Sequence, residues 1–288
     1  MQSFIKNRDG INLFLKVDPV EEPRGIAVIV HGLCEHCGRY DYVTERLNAA
    51  GYSVYRFDHR GHGRSEGKPV YYDQWDEISN DVFDVIQLAK EENPGKKLIV
   101  LGHSMGGYAV TCFGTRFPKE ADAIVLSGAL TRYNHKLAGD LPIQAPADMY
   151  VPNALGEGVC SDPAVIKAYT EDPLVAKEMS IGLLNSIYAG VQYLKENAAC
   201  FEAPVLILHG ANDGLVSPQD SMDLFNSIGS KDKGLFIYPG LCHEIFNEPV
   251  KQKVLDDVVF WLTARVYTLR LSAQGNIIEH IGSNKTEY

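Results

Sequence analysis

The sequence predicts an α/β chain: a mostly parallel sheet flanked by helices, with a helical cap inserted before the last strands. Three observations carry that prediction. Short continuous apolar runs, clearest at 26–31 and 97–101, suit strands buried on both faces. Segments with helical apolar spacing stand between the runs. The alternation breaks at about residue 130 and resumes at 204.

In chain order, residues 2–7 and 11–17 alternate around Asp9-Gly10 and read as a hairpin. The run Ile26 to His31 is the first buried strand. A helix is expected at 40–50, ending at Gly51, and a strand at 52–57. The helix expected at 77–92 places Ile78, Val82, Val85, Ile86 and Ala89 on one side, and Asn93-Pro94-Gly95 stops it. A strand at 97–101, a helix from 105 to about 116 and a strand at 123–127 follow. Residues 131–200 carry Pro142, Pro146, Pro152, Pro163 and Pro173, with helical stretches near 164–170 and 180–196, and read as the cap. A strand at 204–209, a helix near 218–228, a strand at 234–238 and a helix at about 250–266 complete the core. The expected division is therefore a core of 1–130 and 201–266, a cap of 131–200 and a tail of 267–288. In the tail, 267–273 is read as a strand and 274–288 as polar and frayed.

A chain of 288 residues with 45% apolar and 22% charged residues has ordinary globular composition and supports a sizeable core. The formal net charge of −10, with no offsetting basic run, excludes nucleic acid as a partner. No run approaches the ~18 apolar residues of a membrane span, and no signal peptide is expected at the N-terminus. Six cysteines without such a peptide point to free thiols and a cytoplasmic protein.

Gly102-His103-Ser104-Met105-Gly106 lies between an apolar strand and a helix, the context of a nucleophile elbow. The chain must reverse within about three residues there, which strains the serine backbone. The positions two before and two after the serine must clear each other, and both are glycine. A serine hydroxyl needs a base, and a carboxylate to hold that base. In the order Ser, Asp, His, three histidines lie downstream and outside the cap: His209, His243 and His280. His209 ends a strand and reads as structural, and His280 sits in the tail. His243 follows the turn Pro239-Gly240 at a strand's carboxyl end and is the expected base. Asp213 is the expected acid, since Asp220 and Asp223 fall in the next helix and Glu244 adjoins His243. The oxyanion donors are expected to be the N–H groups of Met105 and of Leu33, in the loop His31-Gly32-Leu33. This chemistry needs no cofactor and no metal. Cys34 and Cys37 have no second pair of cysteines to complete a zinc site. His59, Arg60, His62 and Arg64 read as a loop that braces neighbouring turns, with Asp58 satisfying backbone donors.

Together these motifs resemble the monoacylglycerol lipase and lysophospholipase-like branch of the α/β hydrolases, also grouped as serine aminopeptidase-like. His31 to Tyr40 is similar to that family's H-G-x-x-E-H-x-x-R-Y. Asp58 to Gly67 is similar to its D-x-x-G-H-G-x-S-x-G. Gly102 to Gly107, Tyr169 to Leu174, Gly210 to Asp213 and Gly240 to Glu244 match further segments, so the resemblance spans about residues 25–262. It implies the α/β-hydrolase fold and a serine carboxylic-ester hydrolase acting on monoacylglycerols or similar single-chain acyl esters. It also implies an acyl tunnel under the cap and a small polar pocket for the leaving alcohol. By position, Glu35, Arg39 and Tyr169 line or support that pocket; the other reading of Glu35 and Arg39 is that they pair and brace the oxyanion loop. Two departures stand out. Phe246 occupies the place of a second histidine in the mammalian lipases, and the proline-rich cap shows little sign of a strongly apolar membrane-docking helix. A peptidase, with Glu35 receiving a free amino terminus, and a non-catalytic ligand-binding receptor are the alternatives.

Overall fold

Alternate residues of the central strands enter two separate cores, as a sheet covered on both faces requires. The computed structural model describes residues 1–156, 158–266, 268–271 and 277–280. Its main sheet contains β1 (Gln2–Lys6), β2 (Asn12–Asp18), β3 (Gly25–Val30), β4 (Tyr52–Phe57), β5 (Lys97–His103), β6 (Ala123–Ser127), β9 (Val205–Gly210) and β10 (Lys233–Tyr238), in the order β1-β2-β4-β3-β5-β6-β9-β10. The β1–β2 and β2–β4 pairs are antiparallel, and every other neighbouring pair is parallel.

Ile26, Val28 and Val30 of β3, with Leu98 and Val100 of β5, face α2 (Glu77–Glu92) and α3 (Met105–Arg116). The five α2 residues expected on one side, Ile78, Val82, Val85, Ile86 and Ala89, all lie in that core. Ala27, Ile29, Ile99 and Leu101 face the opposite way, against Val43 and Leu47 of α1 (Asp41–Ala49) and Val254, Val258 and Leu262 of α7 (Lys251–Val266). Fully burying one such side chain stabilises the fold by about 1.5–3 kcal/mol.

The parallel strands all end at one edge. Their carboxyl-end loops therefore gather residues 31–33, 104, 128, 211–213 and 239–243 in one place, as open α/β sheets do. Between β6 and β9, which are neighbours in the sheet, the chain forms β7 (Tyr150–Pro152), α4 (Pro163–Glu171), β8 (Glu178–Ser180) and α5 (Ile181–Asn197). Asp162 and Ser180 cap α4 and α5 by accepting from Ala164 N (2.8 Å) and Leu183 N (3.0 Å). This segment is tied to the core by Ala176 N–H to Cys34 O (2.8 Å), Ser180 Oγ to Val70 O (2.7 Å) and the His36–Asp172 pair (2.9 Å). Its start is fixed by Asp220, a fully buried carboxylate on α6 (Pro218–Ser227). Asp220 accepts four backbone N–H bonds, from Thr131, Arg132, Tyr133 and Asn134, at 2.8–3.0 Å.

Three differences from the sequence reading have local causes. Strand β5 runs on to His103 because His103 still pairs with Ser127 of β6. The β7–β8 ribbon has three residues on each strand, too few for an alternation to show. In the tail, β11 (Thr268–Leu271) falls inside the expected strand, and it pairs antiparallel with β12 (Ile277–His280), where a frayed segment was expected. Residues 267, 272–276 and 281–288 of the tail lie outside the described residues. All six cysteines are free thiols, and among the described residues no helix is long and apolar enough to cross a membrane.

Replacing Asp220 with alanine strands four N–H donors, two of them on the buried residues Thr131 and Arg132. The expected cost is about 3 kcal/mol or more, and Asp220→Asn, which keeps an acceptor oxygen, costs less. Urea unfolding midpoints of the two variants check both the size and the order.

Candidate active site

The turn from β5 to α3 places Ser104 at φ +56°, ψ −119°, a region that a non-glycine residue enters only under constraint. Such backbone strain costs roughly 1–3 kcal/mol. The constraint is close backbone packing. A Cβ on Gly102 would lie 2.5 Å from Gly106 O, and one on Gly106 would lie 2.1 Å from Val30 O. Neither position accepts a side chain. The turn is pinned by Ser104 N–H to Ser127 O (2.9 Å) and by Leu130 N–H to Ser104 O (3.3 Å). Ser104 is half-buried, and its hydroxyl has no protein hydrogen-bond partner among the described residues.

His243 and Asp213 come together from two neighbouring loops. His243 Nδ1 donates to Asp213 Oδ2 at 2.7 Å, which fixes the tautomer and leaves Nε2 as the basic nitrogen. Asp213 Oδ1 accepts Leu215 N–H (2.8 Å) and Val216 N–H (2.9 Å). His209, the histidine read as structural, sits behind the pair, with Nε2 3.0 Å from Asp213 Oδ2 and Nδ1 2.7 Å from Ser221 Oγ. Burial alone would raise the Asp213 pKa, but His243 and His209 outweigh it and hold the carboxyl well below the usual range. Burial alone would lower the His243 pKa; Asp213, then Glu244 and Glu35, outweigh it and raise it. The two loops are joined by Asn212 N–H to Leu241 O (2.8 Å) and Ala211 N–H to Tyr238 O (2.9 Å).

The loop after β3 is held by hydrogen bonds to the two peptide groups that flank the Gly32 α-carbon. The His59 N–H donates to His31 Nε2 (3.0 Å), so His31 carries its proton on Nδ1 and donates it to Gly32 O (2.8 Å). Glu35 Oε1 accepts Gly32 N–H at 2.6 Å. With Gly32 O turned to the His31 ring, the trans peptide directs Leu33 N–H to the opposite side. Gly32 stands against the elbow, where a Cβ would lie 3.1 Å from Ser104 Cβ. Met105, as the first residue of α3, has no carbonyl a turn back in the helix to accept its N–H. Burial pushes the pKa values of His31, His59 and His62 down, so this cluster is neutral and structural. The neighbouring cationic loop is a brace, as its sequence suggested. Arg60 bonds both oxygens of Asp81 (2.7 Å each), and Asp58 accepts Cys37 N–H and Arg64 N–H (2.8 Å each).

One arginine links the Gly32 loop to the His243 loop. Arg39 donates to Glu35 Oε2 (2.7 Å) and to both oxygens of Glu244 (2.6 and 2.8 Å). Its guanidinium lies 4.9 Å from the centre of the Tyr169 ring. Burial would raise the Glu35 pKa, but Arg39 foremost lowers it below the usual range. Ser104, His243, Leu33, Met105, Glu35 and Tyr169 line one cavity, whereas Arg39 stands behind the lining. The cavity is otherwise walled by apolar side chains, including Leu130, Leu155, Val159 and Leu215. Together with its opening to solvent it holds about 520 Å³ free of atoms.

Sequence reasoning missed three contributors. Glu244 was weighed only for its reach to the neighbouring ring, and it pairs with Arg39 instead. His103 lies beside His243, ring centres 4.6 Å apart, and bonds Ser127 Oγ. Burial, then His243, pushes the His103 pKa down to about 3, so it adds no positive charge beside its neighbour. Glu248, fully buried, accepts Cys242 N–H (2.9 Å) and Ser161 N–H (3.0 Å) and so anchors the histidine loop to the segment between β6 and β9. Of the three, His103 and Glu244 lie in quoted motifs, and Glu248 lies in none.

The model of the family described as "Serine aminopeptidase, S33" matches residues 21–250. The chain belongs to that family. It is 38% identical over 263 residues to a monoacylglycerol lipase of Mycolicibacterium smegmatis, covering 86% of this chain and 91% of the relative. It is 30% identical over 276 residues to a monoglyceride lipase of Mus musculus, covering 90% and 89%. The crystal structure of a Paleococcus ferrophilus monoacylglycerol lipase superposes with a TM-score of 0.78 at 32% identity, covering 88% of this chain and 99% of that one. The resemblance read from the motifs and the α/β-hydrolase fold it implied are both borne out.

Arg39→Met leaves two buried carboxylates without their cation and is expected to cost about 3–5 kcal/mol. The pH dependence should also reverse. In the native protein the lowered Glu35 pKa contributes stability above the unfolded carboxylate value of ~4.3, and that stability is lost on acidification. Without the arginine, the buried Glu35 carboxylate binds its proton more tightly than in the unfolded chain, so stability falls as pH rises above ~4.3. Unfolding free energies measured from pH ~4 to ~8 read the sign directly.

Proposed function

We propose that this chain is a serine ester hydrolase that cleaves monoacylglycerols or similar single-chain acyl esters through an acyl-enzyme on Ser104. The observation that carries the reading is the Asp213–His243 hydrogen bond at 2.7 Å, which orients a histidine that lines the same apolar-walled cavity as the strained Ser104. The lipase names of the relatives supply the substrate class.

In this mechanism His243 Nε2 takes the Ser104 proton as the hydroxyl oxygen attacks the ester carbonyl. The Leu33 and Met105 N–H groups receive the developing oxyanion, helped by the positive end of α3. The imidazolium, stabilised by Asp213, protonates the leaving alcohol. A water deprotonated by the same nitrogen then releases the fatty acid and restores Ser104. The apolar walls take the acyl chain. We place the leaving alcohol at the polar end beside Tyr169, whose hydroxyl accepts from Asn153 (3.0 Å) and keeps its own proton to donate. Glu35 and Arg39 act there through the loop they hold. We read residues 131–200 as the cap over this cavity. Six free thiols suit a reducing compartment, and on that ground we place the enzyme in the cytoplasm.

A peptidase would need a cavity carboxylate free to bind an amino terminus. Glu35 and Glu244 line the cavity, but each of their oxygens already accepts a bond, from Gly32, Tyr40, Arg39 or Asn247. That favours the ester. An intact Ser, His and Asp set likewise favours an enzyme over a binding protein.

Ser104→Ala should lower kcat for an acylglycerol by about 10⁶ and leave the fold unchanged; turnover near the native rate contradicts the assignment. Because the base must be neutral, kcat/KM should rise with pH through the raised His243 pKa, above the ordinary ~6.5. Asp213→Asn removes the charge that favours the imidazolium, so the midpoint should move to lower pH and the plateau should fall by about 10⁴. A pH–rate profile of both proteins tests the shift.

A further inference from the structure

Two cavities meet at one side chain. The first is the space over Ser104. The second lies between α5, the loop before α2 and the Tyr108 ring, and is walled by Tyr72, Trp75, Leu183 and Ser186 among others. Ile187 lines both. The second space holds about 150 Å³ free of atoms but does not admit a water-sized sphere. Its walls carry the hydroxyls of Tyr72 and Ser186, both on buried side chains and both without a hydrogen-bond partner. Buried polar atoms without partners are costly, and nothing in the proposed chemistry over Ser104 uses these two.

We infer that Ile187 is the stop that sets acyl-chain length, and that shortening it opens the space behind it to the far end of a longer chain, preferably one bearing a hydroxyl. This rests on the ester-hydrolase reading. The backbone of α5 does not retreat to let a chain pass toward the core. Gly190 packs on the Tyr108 ring so closely that a Cβ there would lie 1.8 Å from the phenol oxygen, and Trp75 stacks on Tyr193 at 4.3 Å. The separator is therefore a side chain, and a β-branched residue in a helix holds one preferred χ1 rotamer, which makes the stop firm. Shortening it joins an apolar channel to a pocket whose two free hydroxyls can pair with an oxygenated chain end.

The test compares kcat/KM for monoacylglycerols graded from octanoyl to stearoyl in the native enzyme and in Ile187→Ala, Ile187→Val and Ile187→Phe. The ratio of long-chain to short-chain kcat/KM should rise roughly tenfold or more in Ile187→Ala, rise less in Ile187→Val and fall in Ile187→Phe. Within Ile187→Ala, a terminally hydroxylated long-chain ester should outpace the plain ester of equal length, and adding Ser186→Ala should remove the difference. An unchanged ratio in all three variants, or a loss proportional across all lengths, overturns Ile187 as the stop. Equal rates for the hydroxylated and plain esters overturn the role given to the two hydroxyls. Failure of the native enzyme to cleave any ester of the series overturns the underlying ester-hydrolase reading instead.

Discussion

The backbone of Ser104 is held where a serine does not settle by itself, and the rest of the site is arranged around that constraint. At φ +56° the residue depends on Gly102 and Gly106 lying backbone against backbone, and on β6 accepting its N–H. These contacts exist because β3, β5 and β6 are neighbouring parallel strands, buried on both faces, that end in register. The two cores that cover the sheet therefore do more than stabilise it. They supply the packing against which a strain of a few kcal/mol is maintained.

The second constraint is electrostatic. Burial near the site is compensated pairwise rather than avoided. Asp213 is held by two histidines and two backbone N–H groups. Glu35 and Glu244 share Arg39, and through it the Gly32 loop and the His243 loop become one unit. His31 and His103, in the same region, stay neutral because burial disfavours their cations, and the raised His243 pKa is a local effect of the carboxylates around it.

Much of this was legible in the sequence. The continuous apolar runs marked the buried strands, and the helical spacing of Ile78, Val82, Val85, Ile86 and Ala89 picked out the buried face of α2. Ser104, Asp213 and His243 could be located because each lies in a loop at a strand's carboxyl end, and strand ends are visible as changes of periodicity. What could not be read were contacts set by tertiary approach. Nothing in the spacing of Arg39 and Glu244 announces a bond across 205 residues. The anchoring roles of Asp220 and Glu248 are equally silent, since both carboxylates bind backbone N–H groups, which leave no trace in residue identity. Ile187 reads as one more apolar residue of an amphipathic helix, and its place between two cavities follows from how α5 docks on Tyr108 and Trp75. The β11–β12 pairing was missed because four-residue strands are too short to show a period.

Catalysis at this site requires Ser104 as the nucleophile, activated by His243 and Asp213. The most direct measurement is covalent trapping with an alkyl fluorophosphonate, followed by peptide mass mapping. One adduct per chain is expected, on Ser104, formed slowly in Asp213→Asn and not at all in Ser104→Ala. An adduct on another residue, or no adduct on correctly folded protein, would contradict it.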